Sequence, residues 1–144
     1  MILLPQQSSF SLNDYDLFIR YVDSRAQAQT LVFWSDRESE TGQMWCPDCV
    51  QMEATLIDLM ASSPTKAWEN LIYVYVGQRE EWRSSTNKFR SEPWNVDRIP
   101  TVLKVAPKAQ GLESLKDRVG SISLSRIVEE DANDKEQLAK YLVN

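Results

Sequence analysis

Apolar and polar positions come in blocks whose lengths suit short helices and buried strands. Asn13 to about Gln27 carries Leu17, Phe18, Tyr21 and Val22 at helical spacing. Asn13 or Ser11 can cap it, and Asp14 and Asp16 suit its first turn, so a helix is predicted there. Thr30-Leu31-Val32-Phe33-Trp34 is an unbroken run of strand formers of the buried type. Ser35 to Met44 turns polar around Gly42 and reads as a loop. A second helix is expected to start at Pro47, bury Val50, Leu56, Ile57 and Met60, and end at Pro64. Leu71 to Val76, closed by Gly77, is the clearest strand. Glu80 to about Arg90 reads as helix, with an irregular piece after it around Pro93. Thr101 to Val105 is a further strand, entered through Ile99-Pro100, and Ser125 to Glu129 a weaker one that suits an edge. Lys135 to Leu142, capped by Asn133 or Asp134, completes the pattern as a helix.

Strands separated by helices indicate an α/β sandwich. Two parallel strands joined through the helix at Pro47 would be followed by an antiparallel hairpin. The stretch from Ala106 to Leu124 is long for a hairpin connection, and Leu112, Leu115 and Val119 suit an extra helical turn or two within it.

Length and charge narrow the class. The 144 residues suit a single domain, 1–144, with room for a real core. A net charge of -5 argues against nucleic acid or an anionic membrane as partner. No apolar run approaches the ~20 residues that span a bilayer. Ile2-Leu3-Leu4 before Pro5 is too short for a signal-peptide core, so the cytoplasm is the expected compartment. Nothing demands a dimer, and a monomer is expected.

Both cysteines of the chain lie in Trp45-Cys46-Pro47-Asp48-Cys49, at a predicted helix start just after a predicted strand. A tetrahedral zinc site wants about four Cys or His ligands, and the chain has no histidine. A cysteine protease lacks its base for the same reason. A dithiol/disulfide couple remains. Residues three apart on a helix lie about 5–6 Å apart at Cβ, near what a disulfide tolerates. Cys46 at the N-cap would meet unpaired N–H groups and the positive dipole end, which favour thiolate and lower a thiol from about 8.5 toward about 7. Cys46 is therefore the expected nucleophile, at the most exposed point of the helix, and Cys49, one turn in and more shielded, the resolving thiol. Asp48 has two readings: a first-turn acid that suits the dipole, or an anion that opposes thiol ionisation and disfavours acidic partners. Pro47 shapes the helix start. Trp45 is either core or an exposed lip over the cysteine pair.

These residues resemble the family of thioredoxin domain-containing protein 17, a branch of the thioredoxin-like proteins. The likeness rests on Trp45 to Gln51 with Glu53, the polar loop before it, Val76-Gly77 with Arg79 and Trp82, Phe89-Arg90, Ile99-Pro100-Thr101, and Arg126 to Glu129. It implies a thioredoxin-like α/β fold with a central mixed sheet flanked by helices. It also implies a protein-disulfide reductase with no bound cofactor or metal, recharged with electrons from NADPH through a thioredoxin reductase. Disulfide-containing proteins or small molecules would be its substrates, in a narrower set than for thioredoxin. In that fold the Ile99-Pro100 bond would be cis and face the cysteines, offering the Ile99 backbone to an extended substrate.

Departures from the pattern carry their own expectations. Ala54 stands where a kinking proline is usual, so a straighter helix is expected. No acid lies within Leu31 to Trp34, where thioredoxins keep a buried aspartate, which leaves Glu53 as a candidate proton acceptor or as a solvated helix-face residue. Glu129 replaces a groove glycine and would narrow the substrate groove, or serve as an edge-strand charge. Two alternatives stand beside the reductase: a redox-switched interaction module, and a thiol peroxidase using Cys46.

Overall fold

The computed structural model describes residues 8–62, 66–108, 114–120, 126–128, 131 and 133–143. Among them run β1 (Ser8–Phe10), α1 (Tyr15–Ser24), β2 (Gln29–Trp34), α2 (Pro47–Ser62), β3 (Leu71–Tyr75), α3 (Arg79–Arg83), β4 (Thr101–Val105), α4 (Leu115–Gly120), β5 (Arg126–Val128) and α5 (Lys135–Val143). The strands form one mixed sheet in the order β1-β3-β2-β4-β5. β3 pairs parallel with β1 and β2, while β4 runs antiparallel to both β2 and β5. This is a thioredoxin-like α/β fold.

Helices cover both faces of the sheet, which is why β2 and β3 are near-continuous apolar runs. On the α1 side Phe33 meets Phe18 edge-on at 6.4 Å, and Trp94 packs 4.9 Å from Phe18. On the α2 side Trp34 stacks on Tyr73 at 5.2 Å, and the Tyr73 hydroxyl reaches Met60 Sδ at 3.9 Å. α2 buries Cys49, Met52, Leu56, Leu59 and Met60. Val50 and Ile57, expected on that face, are only half-buried. Ala54 is exposed, and the helix runs on through it.

The sequence reading missed β1. Ser8-Ser9-Phe10 has no strand pattern of its own; pairing with Ile72, Tyr73 and Val74 makes it a strand, and Phe10 packs on Phe18 at 5.6 Å. α1 stops at Ser24, short of Gln27, and its Leu17 is 57% exposed. The helix expected from Glu80 to Arg90 is broken in two, α3 and a short 3-10 turn at Lys88–Arg90. Asn87 breaks it: the buried amide donates to Val76 O (2.9 Å) and Glu81 O (3.1 Å) and accepts from Phe89 N–H (3.0 Å). Such side-chain bonds compete with the helical ladder.

Between β4 and β5 the expected extra helical turns appear as α4, and Arg118 anchors them. Its fully buried guanidinium donates to Ala106 O and Arg25 O, both at 2.8 Å, and more loosely to Asp23 O and Val22 O. A cation there suits the negative end of α1. Leu112, Leu124 and Ser125 lie outside the described residues.

Candidate active site

Four segments converge on the cysteine pair: the end of β2, the start of α2, the end of β3, and the turn into β4. Ser35 and Asp36 leave the sheet and enter a loop tied by Glu38 N–H to Gln43 O and Gly42 N–H to Glu38 O, both 2.8 Å. Gly42 has φ 73°, the left-handed region that glycine takes without cost. Arg37 fastens this loop to α2 by pairing with Glu53, and its guanidinium lies over Tyr75 at 6.0 Å. Glu53, offered by the sequence as a proton acceptor or a solvated helix-face acid, is half-buried and held in this ion pair.

Gly77 locks the other side. Its N–H donates to the Asp36 carboxylate at 2.9 Å, and its carbonyl accepts from Asp36 N–H (3.2 Å) and from the Trp45 indole (3.0 Å). With φ 114° and Glu81 Cβ only 2.9 Å from where a Cβ would stand, the position has room for glycine alone. Burial raises the Asp36 carboxyl above the usual carboxylate range, against the opposing Gly77 hydrogen bond. Trp45 is half-buried, pinned by Gly77 on its edge and overlain by the exposed Arg79 guanidinium at 5.2 Å. It is therefore neither plain core nor a free lip.

Cys46 precedes α2 and Pro47 opens it, as expected. Both cysteines are free thiols. Cys46 Sγ accepts from Cys49 N–H at 3.4 Å and faces the Ile99 carbonyl at 3.9 Å. The Ile99-Pro100 bond is cis, and Pro100 leads directly into β4. The Cys46 thiol is lowered to about 7, chiefly by a hydrogen bond from Cys49, then by the backbone N–H groups of residues 49 and 48, against burial and the charge of Asp48. Cys49 moves the opposite way: burial first, then Cys46, push its thiol well up, while Ser35 pulls it down.

One expectation is corrected here. Cys46 is not the most exposed point of the helix start; it is 8% exposed, whereas Pro47 and Asp48 stand in solvent. The N-cap sulfur turns inward, toward the Ile99 carbonyl, because the turn into β4 lies across it, while the Cys46 N–H is held by Ser35. Cys49 is fully buried. Asp48 borders an open cleft of about 440 Å³ with Gln51, Asn133 and Asp134. Glu129 lies outside the described residues. Ser35, missed by the sequence reading, is fully buried and accepts Cys46 N–H at 3.3 Å. The available signal was a small hydroxyl residue directly after a buried strand, which looked like the first residue of a polar loop.

A family model described as "Thioredoxin domain-containing protein 17-like, thioredoxin domain" matches residues 10–130. The chain belongs to this family. Curated relatives include thioredoxin-like protein Clot of Arabidopsis thaliana, 32% identical over 87 residues that cover 56% of this chain and 60% of that protein. Thioredoxin domain-containing protein 17 of Epinephelus coioides is 30% identical over 96 residues, covering 65% of this chain and 74% of that protein. Its namesake in Homo sapiens is 26% identical over 113 residues, covering 77% and 88%. Thioredoxin NaTrxh of Nicotiana alata superposes with a TM-score of 0.54 at 16% identity, covering 98% of this chain and 96% of that one. At that identity the likeness shows the fold. Membership of the thioredoxin domain-containing protein 17-like family supports thiol–disulfide oxidoreductase chemistry. Among the described residues no helix is long and apolar enough to cross a membrane.

Proposed function

We propose that the protein is a disulfide reductase in which Cys46 is the nucleophile and Cys49 the resolving thiol. The observation that carries the proposal is the Cys46 sulfur, lowered to about 7 at the start of α2 and facing the Ile99 carbonyl ahead of Pro100. At neutral pH about half of such a thiol is thiolate, the form that attacks a disulfide. Cys46 thiolate displaces one substrate sulfur as thiolate and forms a mixed disulfide. Cys49 then attacks Cys46 Sγ, the second substrate sulfur leaves with the electron pair, and the protein is left with a Cys46–Cys49 bond. Two electrons and two protons restore the dithiol, and we assign their supply to NADPH through a thioredoxin reductase.

Substrate selection follows from what surrounds the sulfur. With Cys46 only 8% exposed, a substrate disulfide must enter end-on between Trp45 and the Ile99-Pro100 turn. The Ile99 backbone, ahead of the cis bond to Pro100, would pair with an extended peptide there. Asp48, exposed two residues after Cys46, disfavours anionic substrates. We extend the proposal to a cytoplasmic monomer that acts on small or peptide disulfides.

The test is NADPH consumption with thioredoxin reductase and a panel of insulin, cystine and a mixed glutathione disulfide. Steady consumption that vanishes in Cys46→Ser is expected. No consumption by a protein that still cycles its two thiols with dithiothreitol would overturn the reductase assignment and favour a redox-switched binding module.

A further inference from the structure

We infer that Arg79 is a specificity-determining residue of the dithiol site: its guanidinium, laid over Trp45 beside the nucleophile, binds a carboxylate that flanks the disulfide of a peptide or protein substrate on the β3 side. This deepens the reductase reading proposed above and rests on it, naming which disulfides the site selects.

Arg79 opens α3, just past Gly77 and the end of β3, and stands in solvent. Its guanidinium carbon lies 5.2 Å from the centre of the Trp45 ring. Its Nη2 donates at 3.4 Å to Trp45 O, the carbonyl directly before Cys46. The indole beneath it is itself fixed, donating to Gly77 O at 3.0 Å. Stacking and one long hydrogen bond hold the guanidinium without saturating it, since the group has five N–H donors in a planar fork. Among the described residues no carboxylate pairs with it. Arg37, which fastens the loop before Trp45, is taken by Glu53, and Glu81, two residues beyond Arg79, accepts Gln78 N–H. A positioned fork with donors to spare fits a carboxylate, which it can hold through two parallel bonds.

The topology gives this preference a direction. In the order β1-β3-β2-β4-β5, the strands β3 and β5 lie on opposite sides of β2, which leads to the cysteines. Arg79 follows β3. Asp48 borders a cleft with Asn133 and Asp134, which follow β5. An acid beside the substrate disulfide is therefore drawn toward Trp45 and repelled along α2, so the repulsion by Asp48 acts on one flank only. A substrate strand paired with the Ile99 backbone runs in one direction, and only one of its flanks reaches Arg79. Arg79 supplies affinity and orientation; it exchanges no proton or electron.

The probes are peptides with a single cysteine activated as its thiopyridyl disulfide, carrying Glu, Gln or Lys either just before or just after that cysteine. Under excess reduced protein, Cys46 thiolate bonds the peptide sulfur and neutral thiopyridone leaves with the electron pair, read by its absorbance. Ratios of rates between peptides cancel any change in the thiol itself. At an ionic strength of about 0.01 M the wild-type protein is expected to favour Glu over Gln by about three- to fivefold on one flank only, the scale of a partly exposed ion pair, with a smaller ratio at about 0.15 M. Arg79→Gln is expected to bring that ratio to about one, and Arg79→Glu to invert it in favour of Lys. Arg79→Lys, which keeps the charge but not the fork, is expected to retain part of the preference. A wild-type ratio near one on both flanks would overturn the inference, as would a ratio that persists in Arg79→Gln. An equal preference on both flanks would overturn it too, marking a general field and not a contact. Absence of thiopyridone release from every peptide, or release undiminished in Cys46→Ser, would instead overturn the exchange chemistry on which the inference rests.

Discussion

Arg118→Met isolates what the segment between β4 and β5 contributes. Methionine keeps the apolar stem but removes every donor of a guanidinium that is fully buried. Two bonds at 2.8 Å, to Ala106 O and Arg25 O, are lost outright, and the longer contacts to Asp23 O and Val22 O go with them. Charge-assisted bonds contribute about 1.5–3 kcal/mol each, so the two short ones bound the loss near ~6 kcal/mol. Relief of the desolvation of a buried cation offsets part of this, and the net cost is about 2–4 kcal/mol. Val22 O keeps a second donor in Gln29 Nε2 at 2.9 Å, so it is not orphaned. For a domain of this size a loss of 1 kcal/mol lowers Tm by about 4 °C, giving a fall of about 8–16 °C. Urea denaturation is the better assay, because a lower midpoint at constant slope reports stability alone. Arg118→Lys should recover only part of the loss, since one ammonium cannot span the carbonyls that the planar fork reaches. A change below about 0.5 kcal/mol in Arg118→Met would refute the reasoning and mean that the carbonyls are hydrated as easily as they are bonded. Retained stability with lost thiol exchange would refute it differently, by placing the segment in the site.

Further outcomes follow from the site. Alkylation of Cys46 by iodoacetamide should rise with pH through a midpoint near 7 and then level off, because the thiolate is the reacting form. Asp48 opposes that ionisation, so Asp48→Asn should move the midpoint down, read from thiolate absorbance against pH; an upward move would sink the assignment. Gly77→Ala should destabilise the fold by about 1–3 kcal/mol through backbone strain and contact with Glu81, and should alter Trp45 fluorescence as the indole loses its carbonyl; a neutral effect on both would show that the turn relaxes freely. Glu53→Gln should leave the pH profile of resolution unchanged, since the carboxylate is occupied by Arg37, and should cost no more than about 1 kcal/mol in urea. A profile that shifts in Glu53→Gln would make Glu53 the proton acceptor after all. For Asp36, whose carboxyl is raised by burial, the folded form binds its proton more tightly than the unfolded chain. Stability therefore falls as pH rises through the carboxylate range, and Asp36→Asn should flatten that slope in urea titrations.

What the sequence determined by itself is whatever depends on neighbours along the chain. The Cys46-Pro47-Asp48-Cys49 spacing, the helix start at Pro47, the apolar runs of β2, β3 and β4, and the proline at the entrance to β4 are all local signals with local physical causes. They suffice for an α/β sandwich and a dithiol. Only the tertiary structure decided the rest, because the partners lie far apart in sequence. β1 exists through pairing with a strand more than sixty positions away, and Asn87 ends a helix by reaching back to Val76, just past β3. Cys46 is covered because the turn at Ile99 folds across it. Ser35, written as the first residue of a polar loop, becomes a buried partner of the Cys46 N–H because β2 ends under the start of α2. A chain pattern records which residues avoid water; it does not record which polar group will be enclosed with which, and that pairing sets the chemistry of this site.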